Sequence, residues 1–412
     1  MVKVKLKVTK RIIRMIVISI AYIVSISFIP KVSFFNMFIE FLIIPILYLD
    51  SFISLLSNYK YLNDAKNKIA KFDGTKIIIT GSYGKTSTKC LLNQVLNLYS
   101  TCKSTPKSYN TQLGVSKFIN DTIIEAYKNI ILEYGASKPK DISKLMNITK
   151  PDVAIVTGIG IMHMDGFKNI DNVIAEKMRL VKNARVAILN YDNEYIRNYK
   201  VDCDKVISYG LTYGDYNARN IKNGSFDFYY KNGFVEHFDS NLIGNHQILN
   251  LLCGISYVYS MHYDLKKIRN SLKSFKMVEN RLEMKKIGNR YILDDSFNSN
   301  ILGFKEALRV LSTRKNRILI TPGIVELGKY KDKVNEELAM HIAYSVDMVI
   351  LVGRMEVDNL YKNLKKYNID IHRVYSYKEG YGLYLRLIKG MDESTLLIEN
   401  DLPDLYKRRL LI

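Results

Sequence analysis

The stretch Ile77-Ile-Ile-Thr-Gly-Ser-Tyr-Gly-Lys-Thr-Ser-Thr88 decides the fold of this chain. An apolar run typical of a buried strand leads into the glycine-rich segment 81–86, and a helical pattern follows. Glycines let successive backbone N–H groups point at phosphate oxygens, and a helix N-terminus adds a positive dipole. Lys85 can bridge the outer phosphates, and the Thr86 hydroxyl can bind magnesium. We therefore predict a phosphate-binding loop, in a form two residues shorter than the usual Walker loop. The residues assigned to nucleotide binding here are Gly81, Ser82, Gly84, Lys85, Thr86 and Ser87.

Outward from this loop, short apolar runs alternate with longer helical stretches. The strand-like runs are 76–80, 130–132, 153–157, 186–189, 291–293, 317–321 and 348–352. Continuous apolar strands separated by helices predict parallel sheets that are covered on both faces, and therefore an α/β fold. Residues 205–242 favour a few antiparallel strands, and a second α/β block starts near Arg281.

Residues 1–60 have the pattern of a membrane element. Residues 1–14 carry basic residues and no acid, residues 15–29 are uncharged, and residues 32–49 are apolar apart from Glu40. A spanning helix needs about 20 apolar residues, and basic residues crowd both flanks, which places both flanks in the cytoplasm. We predict a transmembrane helical hairpin in the cell membrane, with the remaining domains facing the cytoplasm. The alternatives are a cleaved signal peptide, or one spanning helix followed by an in-plane amphipathic helix.

The composition is that of a folded protein with more than one domain. The chain has 412 residues, 48 % of them hydrophobic and 25 % charged, which excludes a disordered or fibrous chain. A formal net charge of +21 favours polyanions of any kind without choosing among them. Only this charge supports a nucleic-acid binder, so no nucleic-acid partner is predicted. The four cysteines form no CxxC pair, so neither a disulfide framework nor a zinc ribbon is expected.

Seven further motifs follow the phosphate loop in an order known from one enzyme family. They are Lys107-Ser-Tyr-Asn110-Thr-Gln-Leu-Gly114, Leu132-Glu133-Tyr-Gly135, Thr157-Gly-Ile-Gly-Ile-Met-His163 with Glu176-Lys177, Asn190-Tyr-Asp192, Gly244-Asn-His246-Gln-Ile-Leu-Asn250, Glu279-Asn-Arg281-Leu-Glu283, and Asp294-Asp295-Ser-Phe-Asn298-Ser-Asn300. With the short loop, they make the chain resemble the Mur ligases over residues 72–390, most closely the D-alanyl-D-alanine-adding type. The resemblance implies a P-loop-type parallel-sheet ATPase domain over residues 61–278, and a Rossmann-like α/β C-terminal domain over residues 279–412.

The resemblance also implies roles for single residues, with ATP and two magnesium ions as cofactors. The implied metal ligands are Thr86, Glu133, His163 and a carbamoylated Lys177. The implied nucleotide contacts outside the loop are Asn250, Arg281 and Asp295. The implied catalytic residues are Lys85, His163, Lys177 and Arg281, and the implied substrate contacts are Asn110, Thr111 and Asn298.

These residue types suit the chemistry of an amide ligase. Joining a carboxylate to an amine requires a better leaving group, so ATP phosphorylates the carboxylate and the amine displaces phosphate. Both reacting groups are anionic, so cations must neutralise them, and catalysis consists mostly of positioning and electrostatics. We expect a membrane-anchored, ATP-dependent carboxylate–amine ligase of peptidoglycan or surface-polymer synthesis, similar to UDP-N-acetylmuramoyl-tripeptide–D-alanyl-D-alanine ligases. Its donor is UDP-linked, or linked to a lipid or polymer, and its acceptor is an amino acid or dipeptide.

Two alternatives stay open at this point. The chain could attach amino acids or polyglutamate to a capsule or teichoic polymer, or it could be a non-catalytic ATP-binding membrane scaffold. Three departures from the family pattern bear on the substrate. Residues 1–60 stand in place of a UDP-binding domain, Phe297 replaces a tyrosine, and the acidic segment 399–404 replaces a basic Lys-Gly-Ser loop.

Overall fold

Two β-sheets organise the chain, which is described here from a computed structural model covering residues 35–297, 299–353 and 357–399, with side chains from residue 52 onward. The strands are β1 (Thr75–Thr80), β2 (Cys102–Ser104), β3 (Asn129–Glu133), β4 (Val153–Val156), β5 (Val186–Asn190), β6 (Lys205–Gly210), β7 (Tyr216–Lys222), β8 (Ser225–Tyr230), β9 (Gly233–Phe238), β10 (Glu283–Ile287), β11 (Arg290–Asp295), β12 (Arg317–Thr321), β13 (Met348–Val352), β14 (Asp370–Val374) and β15 (Ser394–Glu399).

The helices lie between these strands and at the start of the described chain. They are α1 (Phe35–Ala70), α2 (Lys85–Asn97), α3 (Gln112–Asp121), α4 (Asp141–Met146), α5 (Met164–Phe167), α6 (Ile170–Met178), α7 (Glu194–Arg197), α8 (Asn245–Ser260), α9 (Lys266–Ser271), α10 (Ile301–Ser312), α11 (Lys331–Ser345), α12 (Asp358–Leu364) and α13 (Tyr377–Leu387). Short 3-10 turns cover Ile124–Ala126, Val181–Asn183, Leu272–Ser274 and Gly328–Tyr330.

The first sheet has nine strands in the order β2-β3-β1-β4-β5-β6-β7-β8-β9. Its strands are parallel from β2 to β7, and β7, β8 and β9 are antiparallel. The chain passes from β1 to β2 and β3 on one side and then to β4 on the other side of β1. The carboxyl end of β1 is therefore a point where the strand order reverses, which is where open α/β sheets bind ligands.

Central strand β1 is buried on both faces because its side chains alternate between two cores. Ile77 and Ile79 pack with apolar residues of α2 and α8, whereas Ile78 packs on the opposite face with α1 and α3. This burial accounts for a continuous apolar run where a half-exposed strand would alternate.

The second sheet has six strands in the order β10-β11-β15-β12-β13-β14, all parallel except for the β10–β11 pair. Strand β15, the last strand within the described residues, lies between β11 and β12. Its register with β11 places Glu399 opposite Asp295 at the carboxyl end of the sheet. The sequence alone did not predict β15.

Helix α1 runs for 36 residues, and its second half packs in the core that contains Ile78. Ala65 and Ile69 are buried there, and the predicted domain boundary at residue 60 falls inside this helix. The first predicted membrane segment, residues 15–29, lies outside the described residues. Among the helices of residues 35–297, 299–353 and 357–399, none has an apolar stretch long enough to span a bilayer.

The predicted α/β class with parallel sheets is confirmed. The transmembrane hairpin finds no support in the described part of the chain. The division into domains at residues 60 and 278 stays a prediction, although the two sheets do separate between β9 and β10.

Candidate active site

The phosphate loop leaves the carboxyl end of β1 and enters α2 with the geometry expected of an anion site. Gly84 has φ 78°, in the left-handed region that glycine tolerates, and α2 begins at the next residue. A Cβ at Gly81 would lie 2.1 Å from Thr157 Oγ1, so only glycine fits there. The first N–H groups of a helix have no partners within that helix, and the helix dipole makes this end positive.

The loop is held against the 157–163 segment by hydrogen bonds and one aromatic ring. The Ser82 N–H donates to Gly158 O at 2.7 Å, and the Gly160 N–H donates to Ser82 Oγ at 3.1 Å. The Tyr83 ring lies so close to Gly158 that a Cβ there would be 2.3 Å from it. Asn193 Nδ2 donates to the Tyr83 hydroxyl at 2.8 Å. The phosphate loop and the segment that ends at His163 therefore form one unit.

Glu133 ends β3 beside the loop, and its carboxylate is surrounded by donors. Thr86 Oγ1 lies 3.1 Å from Glu133 Oε2, Lys89 Nζ donates to Oε2 at 2.8 Å, and Asn110 Nδ2 donates to Oε1 at 3.1 Å. Only 1 % of Glu133 is exposed. Burial acts to raise the pKa of this carboxyl, but Lys89 and Lys85 outweigh it, so the pKa lies below its usual value. Glu133 is thus an anion within a cationic site.

Lys85 folds back onto its own loop. Its Nζ donates to Gly81 O at 2.6 Å and to Ser82 O at 3.3 Å. Burial lowers the pKa of Lys85 to about 8, with Arg281 acting in the same direction and Glu133 opposing both. A phosphate bound beside Lys85 would raise this pKa again, because a neighbouring anion favours the ammonium form.

Lys177, near the end of α6, contacts the phosphate loop at Gly81. It is 2 % exposed, and its Nζ donates to Gly81 O at 3.1 Å. Burial, followed by repulsion from Lys85, lowers the pKa of Lys177 well below its usual value. The structure thus confines a lysine whose neutral form is favoured close to the phosphate site.

His163 contacts a segment of the second half of the chain, the one that follows β12. Its backbone is left-handed, with φ 54°, and its Nδ1 lies 2.6 Å from Glu326 Oε2. The Met164 N–H also donates to Glu326 O at 3.3 Å. The segment after β12 therefore touches the predicted metal-binding histidine.

Arg281 is held over the site by a chain of polar contacts that begins on α2. Thr88 Oγ1 donates to Asn250 Oδ1 at 3.1 Å, and Asn250 Nδ2 donates to Gln247 Oε1 at 3.3 Å. Gln247 Nε2 donates to Arg281 O at 3.0 Å. The Arg281 guanidinium carbon lies 4.4 Å from the centre of the Phe297 ring, within cation–π range. The cation–π contact with Arg281 requires only an aromatic ring, so phenylalanine at position 297 can make it without the hydroxyl group of a tyrosine.

Asp295 and Glu399 end neighbouring strands of the second sheet. Asp295 Oδ1 accepts from the Leu282 N–H at 3.2 Å, and Ser299 donates to Glu399. Burial raises the pKa of Asp295, although Arg281 and His246 oppose this shift. Of the acidic segment 399–404, only Glu399 lies within the described residues, and it is buried.

These groups surround one cleft of about 490 Å³. The predicted site residues that line it are Ser82, Gly84, Lys85, Thr86, Ser87, Asn110, Thr111, Glu133, His163 and Arg281. Three predicted residues do not line the cleft but lie behind it. Lys177 contacts Gly81 of the loop, Asn250 contacts Gln247, and Asp295 contacts Leu282 next to Arg281. The fourth, Asn298, is outside the described residues. Thr111 caps α3, where its Oγ1 accepts from the Gly114 N–H at 3.2 Å.

The oxygen ligands for one magnesium ion are close together. The Thr86 hydroxyl and the Glu133 carboxylate are 3.1 Å apart, and Mg²⁺ prefers such oxygen donors. No group of three or more His, Cys, Asp or Glu side chains that could hold a metal occurs in the described ranges. His163 and Lys177 contact Glu326 and Gly81 respectively, so the second metal site stays a prediction.

The fold and the cleft define a P-loop nucleotide-binding α/β protein, and comparisons with known proteins agree with the Mur ligase resemblance. The family model described as "Mur ligase middle domain" matches residues 79–258. UDP-N-acetylmuramoyl-tripeptide–D-alanyl-D-alanine ligase of Buchnera aphidicola subsp. Baizongia pistaciae is 29 % identical over 298 residues, covering 69 % of this chain and 64 % of the relative. UDP-N-acetylmuramate–L-alanine ligase of Levilactobacillus brevis is 31 % identical over 227 residues, covering 54 % of this chain and 48 % of the relative. The chain therefore spans less than two thirds of the length of each of these relatives.

Solved structures show the same fold. MurF ligase from Thermotoga maritima in complex with ADP superposes with a TM-score of 0.73 at 21 % identity, covering 85 % of this chain and 81 % of that one. A pseudomurein peptide ligase type C from Methanothermus fervidus superposes with a TM-score of 0.65 at 16 % identity, covering 80 % of this chain and 77 % of that one.

Sequence reasoning missed four residues that the structure places in the site's framework. Tyr83 and Gln247 lay inside quoted motifs, and Lys89 directly follows the quoted stretch 77–88, but their contacts cannot be read from spacing. Glu326 belongs to a Glu-Leu-Gly signature that is visible in the sequence, and its approach to His163 required the tertiary structure.

The pKa of Lys85 predicts how nucleotide binding responds to pH. Its ammonium is charged below about 8 and neutral above it, so the affinity for ADP without magnesium should fall as the pH rises. If ADP binds only when Lys85 is protonated, its dissociation constant should rise by about tenfold for each pH unit above that pKa. Titration calorimetry at several pH values measures it. Lys85→Arg, which keeps its charge, should show a flatter dependence. Identical profiles for both proteins would contradict the role given to Lys85.

Proposed function

We propose that this chain is an ATP-dependent, ADP-forming carboxylate–amine ligase of cell-wall peptidoglycan synthesis, with UDP-N-acetylmuramoyl-tripeptide–D-alanyl-D-alanine ligase activity. The observation that carries the proposal is one cleft in which a phosphate loop, a buried carboxylate and an arginine from the following segment face each other. Lys85, Glu133 and Arg281 all line it. The names of the relatives support the same reaction class.

The cleft suits the meeting of two anions. The donor carboxylate attacks the γ-phosphorus of ATP, so ADP leaves and an acyl phosphate forms. The acceptor amine then attacks the acyl carbon, an amide bond forms, and phosphate and a proton leave. Lys85 and Arg281 offset the negative charge of the phosphates, and the positive end of α2 binds them.

Thr86 and Glu133 would hold the magnesium ion. The bound ion would neutralise charge shared by the β- and γ-phosphates. Asn110 and Lys89 orient the Glu133 carboxylate from its two sides. Asn250 donates to Gln247, which holds the Arg281 carbonyl, and Asp295 accepts from the Leu282 N–H next to Arg281. The nucleoside contacts of Asn250 and Asp295 that the family resemblance implies are part of this proposal.

A second part of the proposal concerns Lys177. A neutral lysine amine attacks CO₂, and the resulting carbamate is an oxygen ligand that an ammonium cannot be. The burial of Lys177 beside Gly81 O supports this modification, and His163 would complete the second metal site with it.

Carbon-13 NMR tests the modification. Wild-type protein in ¹³C-bicarbonate should give a carbamate resonance that disappears in Lys177→Met, while Lys103→Met, a change to an exposed lysine, should retain it. A spectrum of the wild type without that resonance would remove the carbamate from the proposal.

The acidic segment 399–404 stands in place of the basic loop that meets the acceptor in the family that the chain resembles. This departure favours a second candidate acceptor besides D-alanyl-D-alanine, namely an amine that has no carboxylate of its own. We therefore include amines without a free carboxylate among the acceptors to be tested. The lipid- or polymer-linked donor remains the second candidate within the same reaction class.

Phosphate release from ATP tests the ligase directly. The full chain in detergent should release phosphate only when a donor extract and one amine from a panel that includes D-alanyl-D-alanine are both present. Lys85→Ala should lower the rate of this phosphate release by at least about a hundredfold, because it removes a positive charge that stabilises the transferring phosphoryl group. Lys103→Ala, at an exposed lysine, should match the wild type.

The outcomes separate the alternatives. Turnover with a soluble UDP-linked donor would support the peptidoglycan reaction, and turnover only with a lipid or polymer fraction would indicate a surface-polymer ligase. Binding of ATP without phosphate release under every pairing would contradict the ligase and favour a scaffold.

We further propose that residues 1–60 attach the chain to the cell membrane, with the cleft on the cytoplasmic side. The exposed side chains Phe52, Leu55, Leu56 and Tyr59 of α1 directly follow the apolar sequence of residues 32–49. A rigid helix there would hold the cleft at a fixed distance from the lipid surface.

Membrane fractionation checks the attachment. The full chain should remain with membranes after an alkaline carbonate wash. Ile20→Arg together with Ile23→Arg should release it, because each arginine costs about 2.5–3.5 kcal/mol when it enters the apolar centre of a bilayer. Recovery of the wild type in the soluble fraction would contradict the attachment.

A further inference from the structure

Lys89 is a buried cation that connects three separate parts of the site. It is 3 % exposed and lies on α2, four residues after Lys85. Its Nζ donates to Glu133 Oε2 at 2.8 Å, at the end of β3, and also donates to Lys107 O in the loop before α3. Lys107 has φ 47°, so the loop is in a left-handed conformation at the point where Lys89 binds it.

The position of Lys89 argues against direct contact with substrate. Lys85, Thr86 and Glu133 line the cleft, whereas Lys89 does not. A buried ammonium is costly unless it is paired and its protons are bound. Both conditions are met here by the carboxylate and the carbonyl, so the ammonium is held at one position behind the cleft.

The same carboxylate is also fixed from its other side. Asn110 Nδ2 donates to Glu133 Oε1, and the Gly135 N–H donates to Asn110 O at 2.8 Å. Lys89 and Asn110 therefore each donate to one oxygen of the Glu133 carboxylate. Asn110 belongs to the loop of residues 107–110, and Lys89 contacts this loop at Lys107 O. Loss of Lys89 would leave Thr86 Oγ1 as the remaining hydrogen-bond partner of Glu133 Oε2 within the described residues, and it would remove the contact between α2 and Lys107 O at the same time.

We propose that Lys89 is a positioning residue that sets the Glu133 carboxylate and the 107–110 loop for binding of magnesium with nucleotide. The inference rests on the ATP- and magnesium-binding part of the proposed function. Groups that orient a metal ligand are worth about 10- to 100-fold in metal affinity. Because Lys89 acts through Glu133, its effect should be seen in the magnesium dependence of nucleotide binding more than in nucleotide binding without metal.

A double-mutant cycle on the full chain tests this inference. The half-saturating Mg²⁺ concentration for binding of a fluorescent ADP analogue is measured for the wild type, Lys89→Met, Glu133→Gln and the double variant. Lys89→Met should raise it by about tenfold or more, while the affinity for the analogue without magnesium changes by less than about threefold. With Glu133→Gln already present, the Lys89 substitution should add less than about twofold, because interacting residues are not additive.

Two controls separate positioning from a general loss of structure. Lys76→Met removes a lysine at the opposite end of β1, where it pairs with Asp152 at 3.1 Å, and it should leave the magnesium dependence unchanged. Lys89→Arg keeps the charge with a larger head group and should fall between the wild type and Lys89→Met. The double variant removes both members of the Lys89–Glu133 pair, so neither is left as the unpaired half of that pair, and it reports on the cycle even if Lys89→Met folds poorly.

The outcomes distinguish this inference from the proposed function. If the wild type binds the analogue with a clear magnesium dependence and Lys89→Met stays within twofold of it, or if the two substitutions are additive, Lys89 is not a positioning residue and the ligase proposal stands. If the wild type binds no nucleotide, with or without magnesium, both are overturned.

Discussion

The close approach of two backbone segments at the carboxyl end of β1 underlies the whole site. Gly81 lies so near Thr157 that no Cβ fits, and this allows the phosphate loop to lie against the segment that leaves β4. Hydrogen bonds from Ser82 and packing of Tyr83 then join the two segments. Since α2 follows the loop and His163 follows the second segment, the same contact orients the helix dipole and the histidine towards one cleft.

Charge distribution gives this cleft its preference for anions. Lys85 and Lys89 lie beside Glu133, the carboxylate that ends β3, and Arg281 and Lys177 act on Lys85. Burying cations without partners is unfavourable, and the pKa values of Lys85 and Lys177 fall as a result. Phosphate groups would restore the balance of charge, which gives a physical reason for nucleotide binding besides the shape of the loop.

The second sheet completes the cleft. The segment after β9 and α9 carries Arg281 to the loop, and Gln247 holds its backbone in place. His163 and Glu326 join the two halves on the other side. A site whose groups come from both sheets is sensitive to their relative position, so that movement of the second sheet would open or close access for donor and acceptor.

Much of the fold and of the site follows from the sequence alone. The apolar run of β1 and the spacing of Gly81, Gly84, Lys85 and Thr86 determine a phosphate loop, because short-range backbone geometry and local composition suffice for it. The alternation of apolar runs and helical patterns likewise determines the parallel α/β class. Local patterns could not predict β15 as a central strand, the position of Glu399 beside Asp295, the contact of His163 with Glu326, or the contact of Lys89 with Glu133. Each of these depends on residues that are distant in sequence and meet only when the strands take their order in the sheets. The tertiary structure therefore decided how the predicted residues are grouped, because burial and pairing of charge depend on neighbours that no local pattern specifies.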